Sequence, residues 1–341
     1  MVQFFLESDR VAEFVTHLMK RKPVYAPHRK GRKSYSFERT RDAAGVVLDY
    51  PRVMQSVKKF FLPPREQLLS FDLGDNTCRA GEVEPLDAIF LGVHSYDLAA
   101  VGRLDHNFSE GRAERNYLTR RQGALWVGVS YEPDEYHFAG SVGIDPYDTE
   151  GFDIFLTRLL DGYVLEVLTP AGESLLEGFD LPAHEAGKPA KKHFQQHIYV
   201  PQDRLNEVMS ASYNNPVWEE TALGCVGCGT CNLVCPTCYC FNVEENVDIT
   251  VTKGSRDRHW DGCMLREFSE VAGGEVFRET LAARQRHRVM RKFKYISEKT
   301  GQPWCVGCGR CTAYCTAGIS IVNIVNRCIS DYEKSTVSAI R

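Results

Sequence analysis

Two copies of one cysteine pattern constrain this chain more than any other feature. Both copies read C-x2-C-x2-C-x3-C. The first comprises Cys225, Cys228, Cys231 and Cys235, and the second comprises Cys305, Cys308, Cys311 and Cys315. This spacing is typical of the loops that bind [4Fe-4S] clusters in bacterial ferredoxins. Three closely spaced thiolates can surround one cube while the fourth ligates the other cube, so the pattern predicts two neighbouring clusters.

The crossed fourth ligand defines two expected ligand sets. One cluster is predicted to bind Cys225, Cys228, Cys231 and Cys315. The other is predicted to bind Cys305, Cys308, Cys311 and Cys235. Structural zinc normally takes two ligand pairs separated by a longer loop, so four cysteines within eleven residues, found twice, favour clusters over zinc. Glycines beside the ligands would let backbone N–H groups approach the cluster sulfurs.

Three further cysteines, Cys238, Cys240 and Cys263, lie between the two motifs. Together with His259 or a ligand from outside the chain, they could hold a third metal centre. Alternatively, they are buried thiols that donate weakly to cluster sulfurs, or a redox-active thiol or disulfide pair. His259 by itself is as compatible with a packed or hydrogen-bonded role. The sequence leaves these alternatives open, and it indicates that Cys78 and Cys328 are core residues.

Chain length and cysteine distribution predict two domains. A chain of 341 residues exceeds the usual size of one domain. Every cysteine except Cys78 lies beyond residue 223. We therefore expect an α+β protein with an N-terminal mixed α/β domain at residues 1–215, which docks partner subunits. A ferredoxin-type domain with two [4Fe-4S] clusters is expected at residues 216–341.

Hydrophobic patterns predict several elements of the N-terminal part. Helical periodicity indicates a helix over residues 11–20, and short apolar runs indicate buried strands at 88–93 and 124–129. Residues 152–168 are predicted to form a hairpin that turns at an Asp-Gly pair. Asp97 is predicted to cap the N-terminus of a following helix.

The segment between the two motifs, residues 241–304, is predicted to be a helical insertion. Its best helix candidate covers residues 275–296, with most of its arginines and lysines facing solvent. Those cations suit either an ordinary solvated face or a face that offsets the negative charge of the clusters or docks an acidic partner.

Location and partner class are also constrained. Charged residues interrupt the N-terminal segment as a signal peptide would not allow, and no apolar run reaches the roughly 18 to 20 residues of a membrane span. We expect a soluble, cytoplasmic protein without membrane insertion. The net charge of −4 and the absence of a recognised motif argue against nucleic-acid binding. No Gly-rich dinucleotide fingerprint follows a strand, so pyridine nucleotide is expected to bind another chain.

Order and spacing of several segments give a more specific indication. Residues 225–240 end in the run Pro-Thr-Cys-Tyr-Cys, residues 256–263 end in Trp-Asp-Gly-Cys, and residues 305–315 form the second motif. In these segments the chain resembles the iron–sulfur beta subunit of sulfhydrogenases, which are cytosolic [NiFe] hydrogenases. It is also similar to one of the subunits of anaerobic sulfite reductase.

The resemblance implies a non-catalytic electron-transfer subunit in a hetero-oligomer. Such a subunit links a flavin subunit that handles NAD(P)H to a catalytic hydrogenase or reductase subunit. A second hypothesis, drawn from the residues alone, is a redox catalyst in which Cys238, Cys240 and Cys263 perform thiol or metal chemistry beside the clusters.

Overall fold

The structure is a computed structural model that describes residues 3–185 and 189–339. Strands within these ranges are β1 (Gln3–Glu7), β2 (Val24–Arg29), β3 (Tyr35–Arg39), β4 (Arg65–Asp72), β5 (Thr77–Ala80), β6 (Ile89–Val93), β7 (Leu125–Val129), β8 (Ile154–Arg158), β9 (Gly162–Val167), β10 (Phe241–Val247) and β11 (Lys253–Trp260). Helices are α1 (Val11–Met19), α2 (Lys58–Phe61), α3 (Ser95–Ser109), α4 (Arg115–Arg121), α5 (Pro170–Leu176), α6 (Gln202–Ala211), α7 (Val217–Gly224), α8 (Thr230–Leu233), α9 (Leu281–Met290), α10 (Ser297–Thr300), α11 (Arg310–Ala313) and α12 (Ile321–Ala339). None of the helices within these ranges is long and apolar enough to cross a membrane.

A seven-stranded mixed sheet organises the N-terminal part, in the order β1-β9-β8-β7-β6-β2-β3. The central strands β2, β6, β7 and β8 are parallel to one another, and the outer pairings are antiparallel. Strand β6 is buried along its whole length, as expected of a parallel strand covered on both faces. The predicted strands at 88–93 and 124–129 and the hairpin β8–β9 are confirmed.

The predicted helix at 11–20 is confirmed as α1, but the predicted role of Asp97 is wrong. Helix α3 begins at Ser95, and the residue at its N-cap is His94. Asp97 instead lies in the first turn with its side chain fully buried. It accepts two hydrogen bonds from Arg310 in the second cysteine motif, each 2.7 Å long.

The prediction of an entirely helical insertion at 241–304 is also wrong. Strands β10 and β11 form a hairpin, and β11 pairs with β4 to give an antiparallel sheet of order β10-β11-β4-β5. The insertion therefore contributes two strands to a sheet begun almost 200 residues earlier in the chain. Its main helix starts at Leu281, where the Thr280 hydroxyl accepts a hydrogen bond from the N–H of Ala283, and continues into a π-helical turn at Arg291–Tyr295.

Two hydrophobic cores hold these layers together. One fills the faces of the seven-stranded sheet. The other contains Tyr96 and Phe138 from the N-terminal part, together with Val289 from α9 and Ile321 from α12. Because this second core draws on both halves, the cysteine motifs are packed directly against the N-terminal part.

Candidate functional site

The two cysteine motifs fold into the same local shape. Gly229 and Gly309 have φ angles of +74° and +70°, a left-handed conformation that glycine adopts without steric cost, and each precedes a one-turn helix, α8 or α11. The N–H of Gly227 donates to Cys225 Sγ at 3.4 Å, and the N–H of Gly307 donates to Cys305 Sγ at 3.5 Å. These donors approach the sulfurs as expected, and they would stabilise thiolate and cluster charge.

The first expected ligand set lines one cavity. Its four cysteines, Cys225, Cys228, Cys231 and Cys315, border an empty space of about 400 Å³, which Cys311 also touches. Gln285 Nε2 from α9 donates to Cys225 Sγ at 3.3 Å. The structure therefore brings this set together across almost 90 residues of chain, with a side-chain donor already directed at a sulfur.

The second expected set lies next to the first. Burial raises the pKa of the Cys305 thiol, and the nearby sulfurs of Cys311, Cys235 and Cys308 raise it further. The fourth member from the other motif, Cys235, is thus close to the three cysteines it was predicted to join. The two groups differ in solvent access, because Cys228 is exposed and Cys308 is buried.

Buried cations surround both groups, and this contradicts the prediction that the charges on the insertion helix face solvent. Arg284, Arg288 and Lys292 are all buried. Burial alone would lower the pKa of Arg288, but Cys231 and Cys311 raise it above its usual value. Likewise Cys235 and Cys238 raise the pKa of Lys292 despite its burial. The alternative in which these cations offset cluster charge matches their positions.

Arg103 provides a direct test of whether the site suits an anionic cluster. Its side chain is 5% exposed, and Nε and Nη1 have no hydrogen-bond partner within the described residues. Burial lowers its pKa to about 10, while Cys305 and Cys235 act in the opposite direction. An unpaired buried guanidinium is costly unless an anion lies beside it. A [4Fe-4S] cluster with four thiolates is such an anion, so the residues fit the group that the motifs predict.

The three remaining cysteines of the C-terminal part also meet. Cys238, Cys240 and Cys263 line a separate cavity. The histidine at this cavity is His287, which interacts with the Cys263 thiol. His259 lies on β11 and faces Glu244 at 3.7 Å. Sequence reasoning missed His287, because the contact depends on how α9 packs and has no signature in residue spacing.

The two outlying cysteines have different environments. Cys328 is buried in α12 as predicted, whereas Cys78 is exposed on β5, so the prediction of a core position for Cys78 is wrong. All thirteen cysteines are free thiols in the structure.

Comparison with known proteins gives the class first. Residues 224–319 match the family model described as a 4Fe-4S dicluster domain, which confirms an iron–sulfur protein with a ferredoxin-like C-terminal part. The chain is also 32% identical over 330 residues to sulfhydrogenase 2 subunit beta of Pyrococcus furiosus, covering 94% of this chain and 96% of that protein. It therefore belongs to the family of sulfhydrogenase beta subunits, and the predicted resemblance is confirmed. No solved structure matches the chain.

Proposed function

We propose that this iron–sulfur subunit relays electrons between a flavin subunit that handles NAD(P)H and a catalytic hydrogenase or reductase subunit in a cytoplasmic hetero-oligomer. The observation that carries the proposal is the convergence of eight motif cysteines into two adjacent groups beneath unpaired buried cations. A bound [4Fe-4S] cluster supplies a one-electron carrier. The relative from Pyrococcus furiosus is by name a subunit of a sulfhydrogenase, which supports assembly with other chains.

Within this proposal the eight cysteines are the cluster ligands, in the crossed sets given above. Arg288, Lys292 and Arg103 stabilise the additional negative charge that arrives with each electron. The backbone donors Gly227 and Gly307 act in the same direction. The N-terminal α/β domain, residues 1–215, docks partner subunits.

Ligand identity can be tested with one variant of each crossed cysteine. We expect Cys235→Ser and Cys315→Ser each to lose about four iron atoms per chain, and each to remove a different reduced-cluster EPR signal. Cys78→Ser is the matched control, because that cysteine is exposed and remote in sequence from both motifs. Full retention of both signals in Cys235→Ser would contradict the crossed assignment.

Electron exchange with a partner is expected at the first cysteine group. Exposed Cys228 lies in the same loop as Val226, which is 72% exposed, and close in sequence to Leu223, which is 91% exposed. Apolar side chains at the solvent edge of a redox centre suit a protein partner. The experiment is Leu223→Glu in the assembled complex, measuring cluster reduction by NAD(P)H together with iron content.

We expect slower cluster reduction with unchanged iron in Leu223→Glu. Leu160→Glu is the matched control, since Leu160 is 96% exposed in the turn between β8 and β9, at the far sheet edge. Equal rates in the two variants would contradict docking at the first group.

The alternative of thiol-based redox catalysis is less well supported. Its central residue, Cys263, is buried, and the cavity that it shares with Cys238 and Cys240 is also lined by Trp304. A catalytic thiol needs access for its substrate. Turnover of a small disulfide by the isolated chain would nevertheless favour this alternative.

A further inference from the structure

Outside the two motif groups, one more cysteine cavity has the features of a cofactor site. It encloses about 270 Å³ of empty space, compared with about 400 Å³ at the first motif group. Its thiols belong to Cys238, Cys240 and Cys263. These residues come from two segments that the fold brings together, since the N–H of Asp261 donates to the carbonyl of Cys240 at 3.1 Å.

Side chains around this cavity orient the three thiols. Asn232 Nδ2 donates to Cys238 Sγ at 3.6 Å, and its Oδ1 accepts from the N–H of Met264 at 2.9 Å. Cys263 interacts with Cys240 on one side and with His287 on the other. Three thiols and one imidazole are therefore grouped around one space, which is the donor number of a cluster site.

Buried positive charge marks the cavity as a place for an anion. Arg291 faces Cys240, Cys263 and Cys238. Lys58 is buried, donates to the carbonyls of Cys235 and Cys238 at 3.0 and 2.9 Å, and lies 4.0 Å from the centre of the Trp260 ring. Neither cation forms an ion pair with a carboxylate among the described residues. Buried cations without a counter-ion are strongly unfavourable, so an anionic group is required here.

The spacing of the donors distinguishes a cluster from a single ion. In the described part of the chain, no three His, Cys, Asp or Glu side chains are arranged to hold a single metal ion. That finding includes the eight motif cysteines, whose geometry suits clusters. A single zinc ion draws its ligands to about 2.0–2.3 Å, whereas a cubane holds its thiolates apart at separate iron atoms. The wider grouping of Cys238, Cys240 and Cys263 therefore favours a cluster.

We infer that Cys238, Cys240 and Cys263 bind a third iron–sulfur cluster, with His287 as its fourth ligand. Histidine ligation of an iron–sulfur cluster has precedent in Rieske centres. Cys238 follows Cys235 by one turn, with its N–H 3.4 Å from the Cys235 carbonyl, so the third cluster would adjoin the second. One electron would pass between reduced and oxidised clusters without any bond being formed or broken. The inference is independent of which subunits flank the chain.

The test is metal analysis of the full chain, purified anaerobically with its complex. We expect about twelve iron and twelve sulfide per chain, falling to about eight in Cys263→Ser and Cys240→Ser with the two motif signals retained in EPR. Cys328→Ser is the matched control, because that thiol is buried in α12 and does not line the cavity. It should keep about twelve iron.

His287→Ala supplies an independent measurement if a cysteine variant fails to fold. We expect the EPR spectrum of the third cluster to shift or disappear while the other two signals stay unchanged. An unshifted third spectrum would overturn the assignment of His287. Wild-type protein with about eight iron, with or without one equivalent of zinc, would overturn the third cluster but leave the two-cluster proposal intact. Loss of iron in Cys235→Ser tests that proposal separately.

Discussion

Replacing Asp97 by asparagine removes the charge partner of Arg310, the residue that fastens the second cysteine motif to the N-terminal part. Both side chains are 0% exposed, and the guanidinium donates two parallel hydrogen bonds to the carboxylate. Arg310 Nε also donates to the carbonyl of Val53 at 2.7 Å. Burial alone would lower the pKa of Arg310, but Asp97 raises it well above its usual value, so the arginine is charged. The variant therefore leaves a buried cation without its counter-ion.

The size of the effect follows from burial. Breaking a buried ion pair by removing one partner costs about 3–5 kcal/mol. An unfolding entropy of about 2.1 cal/mol/K per residue gives about 0.7 kcal/mol/K for 341 residues. Asp97→Asn should therefore lower the Tm by about 4–7 °C.

The assay is calorimetry of anaerobic holoprotein at a fixed scan rate. Glu298→Gln, which breaks the exposed i,i+4 pair with Lys294, is the control and should shift the Tm by much less. A double variant, Asp97→Leu with Arg310→Met, should recover most of the loss, because an apolar pair leaves no unpaired charge. Equal Tm values for Asp97→Asn and Glu298→Gln would refute the reasoning.

Three more predictions concern charge, backbone conformation and pH. Arg288→Met should make the potential of the adjacent cluster more negative, by about 60 mV for each 1.4 kcal/mol of lost stabilisation, in an EPR redox titration; Arg286→Met on the same helix should leave it nearly unchanged, and equal shifts would contradict the role of Arg288. Gly307→Ala should reduce both Tm and iron content far more than Gly301→Ala, because both glycines have positive φ but an added Cβ at Gly307 would lie 2.4 Å from neighbouring backbone and one at Gly301 meets open space. Burial lowers the pKa of His137 to about 4, so the unfolded chain takes up a proton as the pH falls from about 6.5 towards 4 while the folded chain does not. His137→Gln should therefore remove about 1.4 kcal/mol per pH unit from the acid-induced loss of stability, and parallel Tm profiles between pH 7.5 and 5 would count against this account.

Local patterns predicted what local forces determine. The motif spacing indicated which cysteines converge, because a loop with two-residue gaps and left-handed glycines can fold only tightly around its ligands. The buried strand β6 was equally accessible to prediction, since its continuous apolar run needs cover on both faces.

The hairpin β10–β11 escaped prediction for a physical reason. Every residue of β10 is exposed, so the strand shows no alternation between apolar and polar positions. Its partner β11 is held by main-chain pairing with β4, and a distant pairing leaves no mark on residue spacing. The buried cations Arg288 and Lys292 were misplaced because charge normally indicates solvent. Here the counter-charge belongs to a cofactor, which periodicity does not contain.

The pairing of β4 with β11 has a consequence for synthesis of the chain. Asp72 and its partner Lys253 are separated by about 180 residues. At roughly 5–20 residues per second, β4 leaves the ribosome roughly 10–35 s before the strand that covers its edge. During that interval the nascent chain presents an unpaired strand edge, a common starting point for association between chains. A translation product that stops before residue 253 keeps this edge open permanently, so we expect such truncated products to aggregate.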